Sequence, residues 1–118
     1  MPRSKPQHMS LQERNKLLEE FWITLALLKN KNSIRNFLKD LLSETEAVML
    51  ARRLKIAELI HAGWSYDKIE RKMHTSPATI ASVHAWLDGG FGGYLESIMK
   101  LKEWKRERDR RGGADTKN

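Results

Sequence analysis

The chain has 118 residues, with 22 Lys and Arg against 15 Asp and Glu, a net charge of +7 and a pI near 9.9. This length suits one domain whose modest core gains from a partner chain, and the basic excess points to a polyanionic partner such as nucleic acid or an acidic membrane surface. The absence of cysteine excludes disulfides and thiolate metal sites, and no apolar run matches a membrane span or a secretory leader, so a soluble cytoplasmic protein is expected.

Residues 1–9, MPRSKPQHM, have two prolines, two basic side chains and no apolar period, and read as a disordered N-terminal arm. A helix follows from Ser10, where Glu13 completes a capping box, and continues through Leu17, Leu18, Phe21, Trp22, Leu25 and Leu28. Asn30 to Asn32 break it. Ser33 is then expected to cap a second helix carrying Ile34, Phe37, Leu38, Leu41 and Leu42 at i, i+3, i+4, i+7 and i+8. Ser43 and Glu46 form another capping box and open a long helix from about Glu44 to Ala62, closed by Gly63. Apolar side chains nearly encircle the first helix from Phe21 to Leu28, more than so short a chain can cover. Helices of a second copy are therefore expected to cover them, making an interwoven homodimer.

The stretch GWSYDKIERKMHTSPATIASVHAWL, from Gly63 to Leu87, reads as two short helices and a tight turn, a helix-turn-helix over about residues 65–87. Ser65 caps the first, with Tyr66, Ile69 and Met73 on one stripe. His74 and Thr75 turn, and Ser76 caps the second helix with Pro77 at its first position, where the missing N–H costs nothing. Ile80, Val83 and Leu87 face inward. Ala78, Ser82 and Ala85 occupy the opposite face, flanked by Thr79, Ala81 and Trp86: a small, polar or methyl-bearing surface suited to the edges of bases in a major groove. No Arg, Asn or Gln stands on that face for bidentate base contacts. A plain αα-hairpin with a solvated outer face is the alternative.

Beyond it, DGGFGGY supplies four glycines for a sharp turn, with Phe91 and Tyr94 expected to anchor it in apolar surroundings. No strand and no suitably placed Lys accompany it, so it is a hinge and not a phosphate loop. A last helix from about Tyr94 to Arg110 places Leu95, Ile98, Leu101 and Trp104 on one side. Its end, KEWKRERDRR, is either a phosphate-contacting extension or a solvated end laced with charge pairs. Residues 112–118 read as a disordered tail. His8, His61, His74 and His84 lack metal-site spacing, no Ser lies in a nucleophile elbow, and neither an enzyme, a cofactor nor a metal is expected.

The pieces LLSETEAVMLARRLKIAELIHAGWSYDKIERKM, TSPATIASV and LDGGFGGY, spanning Leu41 to Tyr94, together resemble the Trp repressor superfamily, in particular its YerC/YecD-like branch. The resemblance implies an all-α, Trp-repressor-like intertwined dimer with a helix-turn-helix. It implies a sequence-specific DNA-binding transcriptional regulator, a repressor, acting as a homodimer on double-stranded DNA at a two-fold symmetric operator. Residues 10–111 would form one helical DNA-binding and dimerisation domain. Lys68, Arg71, Lys72, Thr75, Ser76, Ala78, Thr79, Ser82, Ala85 and Trp86 are the candidate DNA contacts, with Arg52, Arg53 and Lys55 as further candidates.

The family's amino-acid-responsive member holds a co-repressor between the long helix and the recognition helix with an Arg on each. By that resemblance the effector pocket would comprise Ser43, Arg53, Ser82 and Val83. Arg53 matches the first Arg and Ser43 a hydroxyl contact, whereas Ser82 replaces the second Arg and Val83 the adjacent glycine. The lost cation and added bulk imply DNA binding without free tryptophan. A helical protein-interaction adaptor and the DNA-targeting subunit of a mobile element remain alternatives.

Overall fold

The computed structural model describes residues 8–112, so the proposed arm and tail lie mostly outside the described residues. Those residues form six helices, α1 (Leu11–Leu27), α2 (Lys31–Leu41), α3 (Glu44–His61), α4 (Tyr66–Met73), α5 (Pro77–Gly89) and α6 (Gly93–Arg111), and among them there is no strand. The chain divides into two compact units, Met1–Ala47 and Val48–Asn118.

In the first unit the start of α1 is fixed by the reciprocal pair expected from Ser10 and Glu13. The Glu13 amide donates to Ser10 Oγ at 3.0 Å and the Ser10 amide to Glu13 Oε1 at 2.9 Å. The start of α2 differs from expectation. Asn30, not Ser33, is the cap: its carboxamide oxygen accepts from the Ser33 amide at 2.9 Å, so Ser33 is already the third helical residue. Phe21 and Phe37 meet at 6.3 Å between ring centroids. No residue of α1 or α2 is fully buried. Trp22 is 54% exposed and Leu27 68%, so this unit leaves much of its apolar surface in water. The capping box of Ser43 and Glu46 opens α3 with amide–side-chain bonds of 2.8 and 3.1 Å.

The second unit holds the core. Ile56, Ala57 and Leu59 from α3, Ile69 from α4, Ile80 and Val83 from α5 and Ile98 from α6 are buried together, with Leu54, Ile60, Trp64, Tyr66, Met73, Leu87 and Tyr94 packed around them. Four isoleucines, Ile56, Ile69, Ile80 and Ile98, one from each of four helices, meet at its centre and hold the hairpin on α3 as one body. Gly63 ends α3 at φ +93°, with the Trp64 amide on Leu59 O at 3.0 Å and the Gly63 amide on Ile60 O at 2.9 Å, the paired bonds of a Schellman turn.

One expectation for the C-terminal part fails. Phe91 is 97% exposed and anchors nothing in the core; Tyr94 alone packs there. On α6 only Ile98 is buried and Leu101 half-buried, while Leu95 and Trp104 face solvent. Lys105 adds a polar link, its ammonium reaching Glu58 Oε2 on α3 at 3.0 Å. Among the described residues no helix is long and apolar enough to cross a membrane.

Candidate functional site

The hairpin is built by local rules at each junction. Ser65 Oγ accepts from the Lys68 amide at 3.2 Å and starts α4. α4 stops at His74, whose backbone lies at φ 52° and ψ 53°, the single positive-φ position among the described non-glycine residues. Ser76, extended at φ −93° and ψ 156°, then caps α5: its hydroxyl accepts from the Thr79 amide at 3.2 Å and lies 3.1 Å from Thr79 Oγ1. Pro77 follows at the first helical position. α5 runs through Gly89, two residues past the expected end, because Leu87 still packs on the core and Gly90 closes the last turn through its amide on Trp86 O at 2.9 Å.

This fixes which way α5 faces. Ile80 and Val83 are buried, whereas Ala78, Thr79, Ser82, Ala85 and Trp86 are exposed. Ser76 is exposed and Thr75 half-buried at the turn. Lys68 is exposed, with its Nζ over the Trp64 ring at 5.1 Å from the centroid, a cation–π contact. Arg71 and Lys72 are exposed in the last turn of α4.

Of the effector residues, Arg53, Ser82 and Val83 line one groove of about 680 Å³, together with Ala78, Thr79, Trp86, Phe91, Gly93 and Tyr94. Ser43 belongs to the first unit, where its hydroxyl accepts from the Glu46 amide at the head of α3. Arg53 is exposed and makes no ion pair among the described residues. Trp86 and Phe91 stack at the mouth, 6.1 Å apart and 21° from parallel. Gly90 permits this: a Cβ there would sit 2.4 Å from Trp86 O and 2.9 Å from its Cε3. The base-facing surface expected of α5 and the groove are thus one continuous surface, since Ala78, Thr79, Ser82 and Trp86 belong to both.

Of the three additional cations, Arg52 and Lys55 already have protein partners. Lys55 Nζ lies 2.9 Å from Glu58 Oε1, out of line for a hydrogen bond but close enough for an ion pair. This contact, opposed by partial burial and reinforced by Lys105, holds the Glu58 carboxyl below its ordinary 4.5. Arg52 donates from Nη2 to the carbonyls of Met73 and His74. A further pairing escaped the sequence: Tyr66 Oη and His84 Nδ1 lie 2.9 Å apart, and His84 Nε2 lies 3.3 Å from Asp88 on the same helix. The i,i+4 spacing of His84 and Asp88 was the signal available; nothing in the sequence marked Tyr66 as the third member. Among the described residues there is no cluster of His, Cys, Asp or Glu able to hold a metal ion. The charged end of α6 carries ion pairs three residues apart, Arg106 to Glu103 at 3.0 Å and Arg110 to Glu107.

Comparison with known proteins agrees with this architecture. The family model for the Trp repressor protein matches residues 16–102. The uncharacterized protein YerC of Bacillus subtilis (strain 168) is 32% identical over 94 residues, covering 80% of this chain and 90% of YerC. A crystal structure of a Staphylococcus aureus protein assigned as a Trp repressor superposes with a TM-score of 0.69 at 28% identity, covering 79% of this chain and 96% of that one. A family model spanning most of the chain, α1 to the middle of α6, places the protein in the Trp repressor family.

Proposed function

We propose that the protein is a dimeric, sequence-specific DNA-binding repressor of transcription, cytoplasmic and independent of free tryptophan. The observation that carries the reading is the solvent-facing side of α5, where Ala78, Ser82, Ala85 and Trp86 lie opposite the buried Ile80 and Val83. A small, uncharged face on a rigidly capped helix can approach base edges closely, reading methyl groups and single acceptors more than bidentate patterns. Lys68, Arg71 and Lys72 on α4, with Thr75, Ser76 and Thr79 at the turn, flank that face and suit phosphate oxygens. Residues 10–111 act as one dimerisation and DNA-binding domain. The uncovered apolar residues of α1, among them Trp22 and Leu27, are the surface a second copy would bury. With Val83 in the core and Ser82 in place of a second cation, the groove retains Arg53 as its one guanidinium. That supports activity without an amino-acid co-repressor.

Fluorescence anisotropy on a random duplex tests the class of function. Binding at low salt is expected, and with about six to eight phosphate contacts log affinity should fall against log salt with a slope of roughly −5 to −7. No binding at low salt would support a protein-interaction adaptor instead.

A further inference from the structure

We infer that Arg52 is a positioning residue for DNA reading, a clamp from α3 that holds the end of α4 and thereby sets where α5 begins. The inference rests on the function proposed above. Arg52 is half-buried on α3, and its Nη2 donates both to Met73 O and, at 3.1 Å, to His74 O, 21 and 22 residues further along the chain. Those carbonyls are at the C-terminus of α4, where the last carbonyls of a helix have no amide partner and carry its partial negative charge. A guanidinium there satisfies two of them with charge-assisted bonds.

The backbone it grips is the least relaxed of the hairpin. His74 adopts the left-handed conformation that a glycine takes more readily, and the Thr75 amide reaches Glu70 O only at 3.4 Å. A turn of this kind persists when its surroundings over-determine it. Only Thr75 and Ser76 separate His74 from Pro77, the first residue of α5. Movement of the His74 carbonyl is therefore passed to the Ser76 cap and to the exposed face behind it. Arg52 would act on DNA affinity without spending its charge on a phosphate.

The test compares Arg52→Met with Arg71→Met, at a temperature where both variants match the parent by far-UV circular dichroism. Arg52→Met is expected to lower duplex affinity at least tenfold while leaving the salt slope unchanged, and to speed amide exchange at Thr75 and Thr79 at least tenfold with Ile98 unaffected. Arg71→Met is expected to reduce the slope by about 0.9, the signature of one lost phosphate contact. A slope reduced by about 0.9 in Arg52→Met with exchange unchanged would make Arg52 a phosphate ligand and overturn the inference; unchanged affinity would overturn it as well. Should Arg52→Met not fold, Arg52→Lys keeps the charge but not the planar donor: a tenfold loss supports the clamp, and full binding refutes it. If the parent chain binds no duplex, the proposed function fails while the exchange rates still decide whether Arg52 holds the turn.

Discussion

Two neighbouring glycines at the end of α5 should respond to alanine with opposite signs. At Gly90 an added Cβ would lie 2.4 Å from Trp86 O, a backbone atom that can retreat only by breaking the 2.9 Å bond it accepts from the Gly90 amide. Overpacking of this kind costs about 1–3 kcal/mol, and loss of the bond adds about 1 kcal/mol. At Gly89, inside the helix, nothing lies within 4 Å of the added atom. Alanine there gains helix propensity, about 0.5 kcal/mol at a terminal position. For a chain of 118 residues the unfolding entropy of about 2.1 cal/mol/K per residue makes 1 kcal/mol equivalent to about 4 °C. Gly90→Ala should therefore lower Tm by roughly 8–16 °C, and Gly89→Ala should raise it by about 2 °C. Thermal unfolding followed by circular dichroism, at one fixed protein concentration, reads both. Equal shifts for the two variants would refute the claim that the close approach of Gly90 to Trp86 shapes this corner.

Further outcomes follow from the same geometry. Ala78→Glu places a carboxylate on an exposed position of α5; the unfolding free energy should stay within about 0.5 kcal/mol of the parent while duplex affinity drops at least tenfold, as anisotropy would record. Because the Glu58 carboxyl titrates below its ordinary 4.5 in the folded chain, its ion pairs with Lys55 and Lys105 stabilise fully above that value and fade as pH falls through the lowered one. In urea titrations the stability gap between parent and Glu58→Gln should hold from pH 7 to 5.5 and shrink toward pH 3; a gap constant with pH would contradict the pairing. Calorimetric titration with L-tryptophan should give no saturable heat, and a tight one-site isotherm would restore the co-repressor to the mechanism.

The parts of this molecule that were legible in the sequence are those decided within a few residues. Ser10 with Glu13, Ser43 with Glu46, and Ser76 followed by Pro77 announce their helices because the bonds they make span three positions. Where two good caps stand three apart, as Asn30 and Ser33 do, spacing cannot rank them; the carboxamide of Asn30 took the Ser33 amide and moved the start of α2 forward. Burial of Ile69, Ile80 and Val83 followed from helical periodicity. What stayed hidden depends on partners brought together by tertiary structure. Arg52 resembles any helix-surface cation until the end of α4 is placed against it. Phe91 reads as an anchor by its apolarity, yet with glycines on both sides it has no rigid neighbour to pull it inward and stacks on Trp86 in the open. The groove joining Arg53 to α5 could be anticipated only through the family resemblance.

The central claim is that α5, held at a fixed separation from its copy, reads a duplex. Selection of bound sequences from a random duplex pool, using the full-length protein, addresses it most directly. The account predicts enrichment of a two-fold symmetric motif with half-sites about one helical turn apart, roughly 34 Å. A pool that shows no enrichment, or that converges on a single asymmetric half-site, would contradict it.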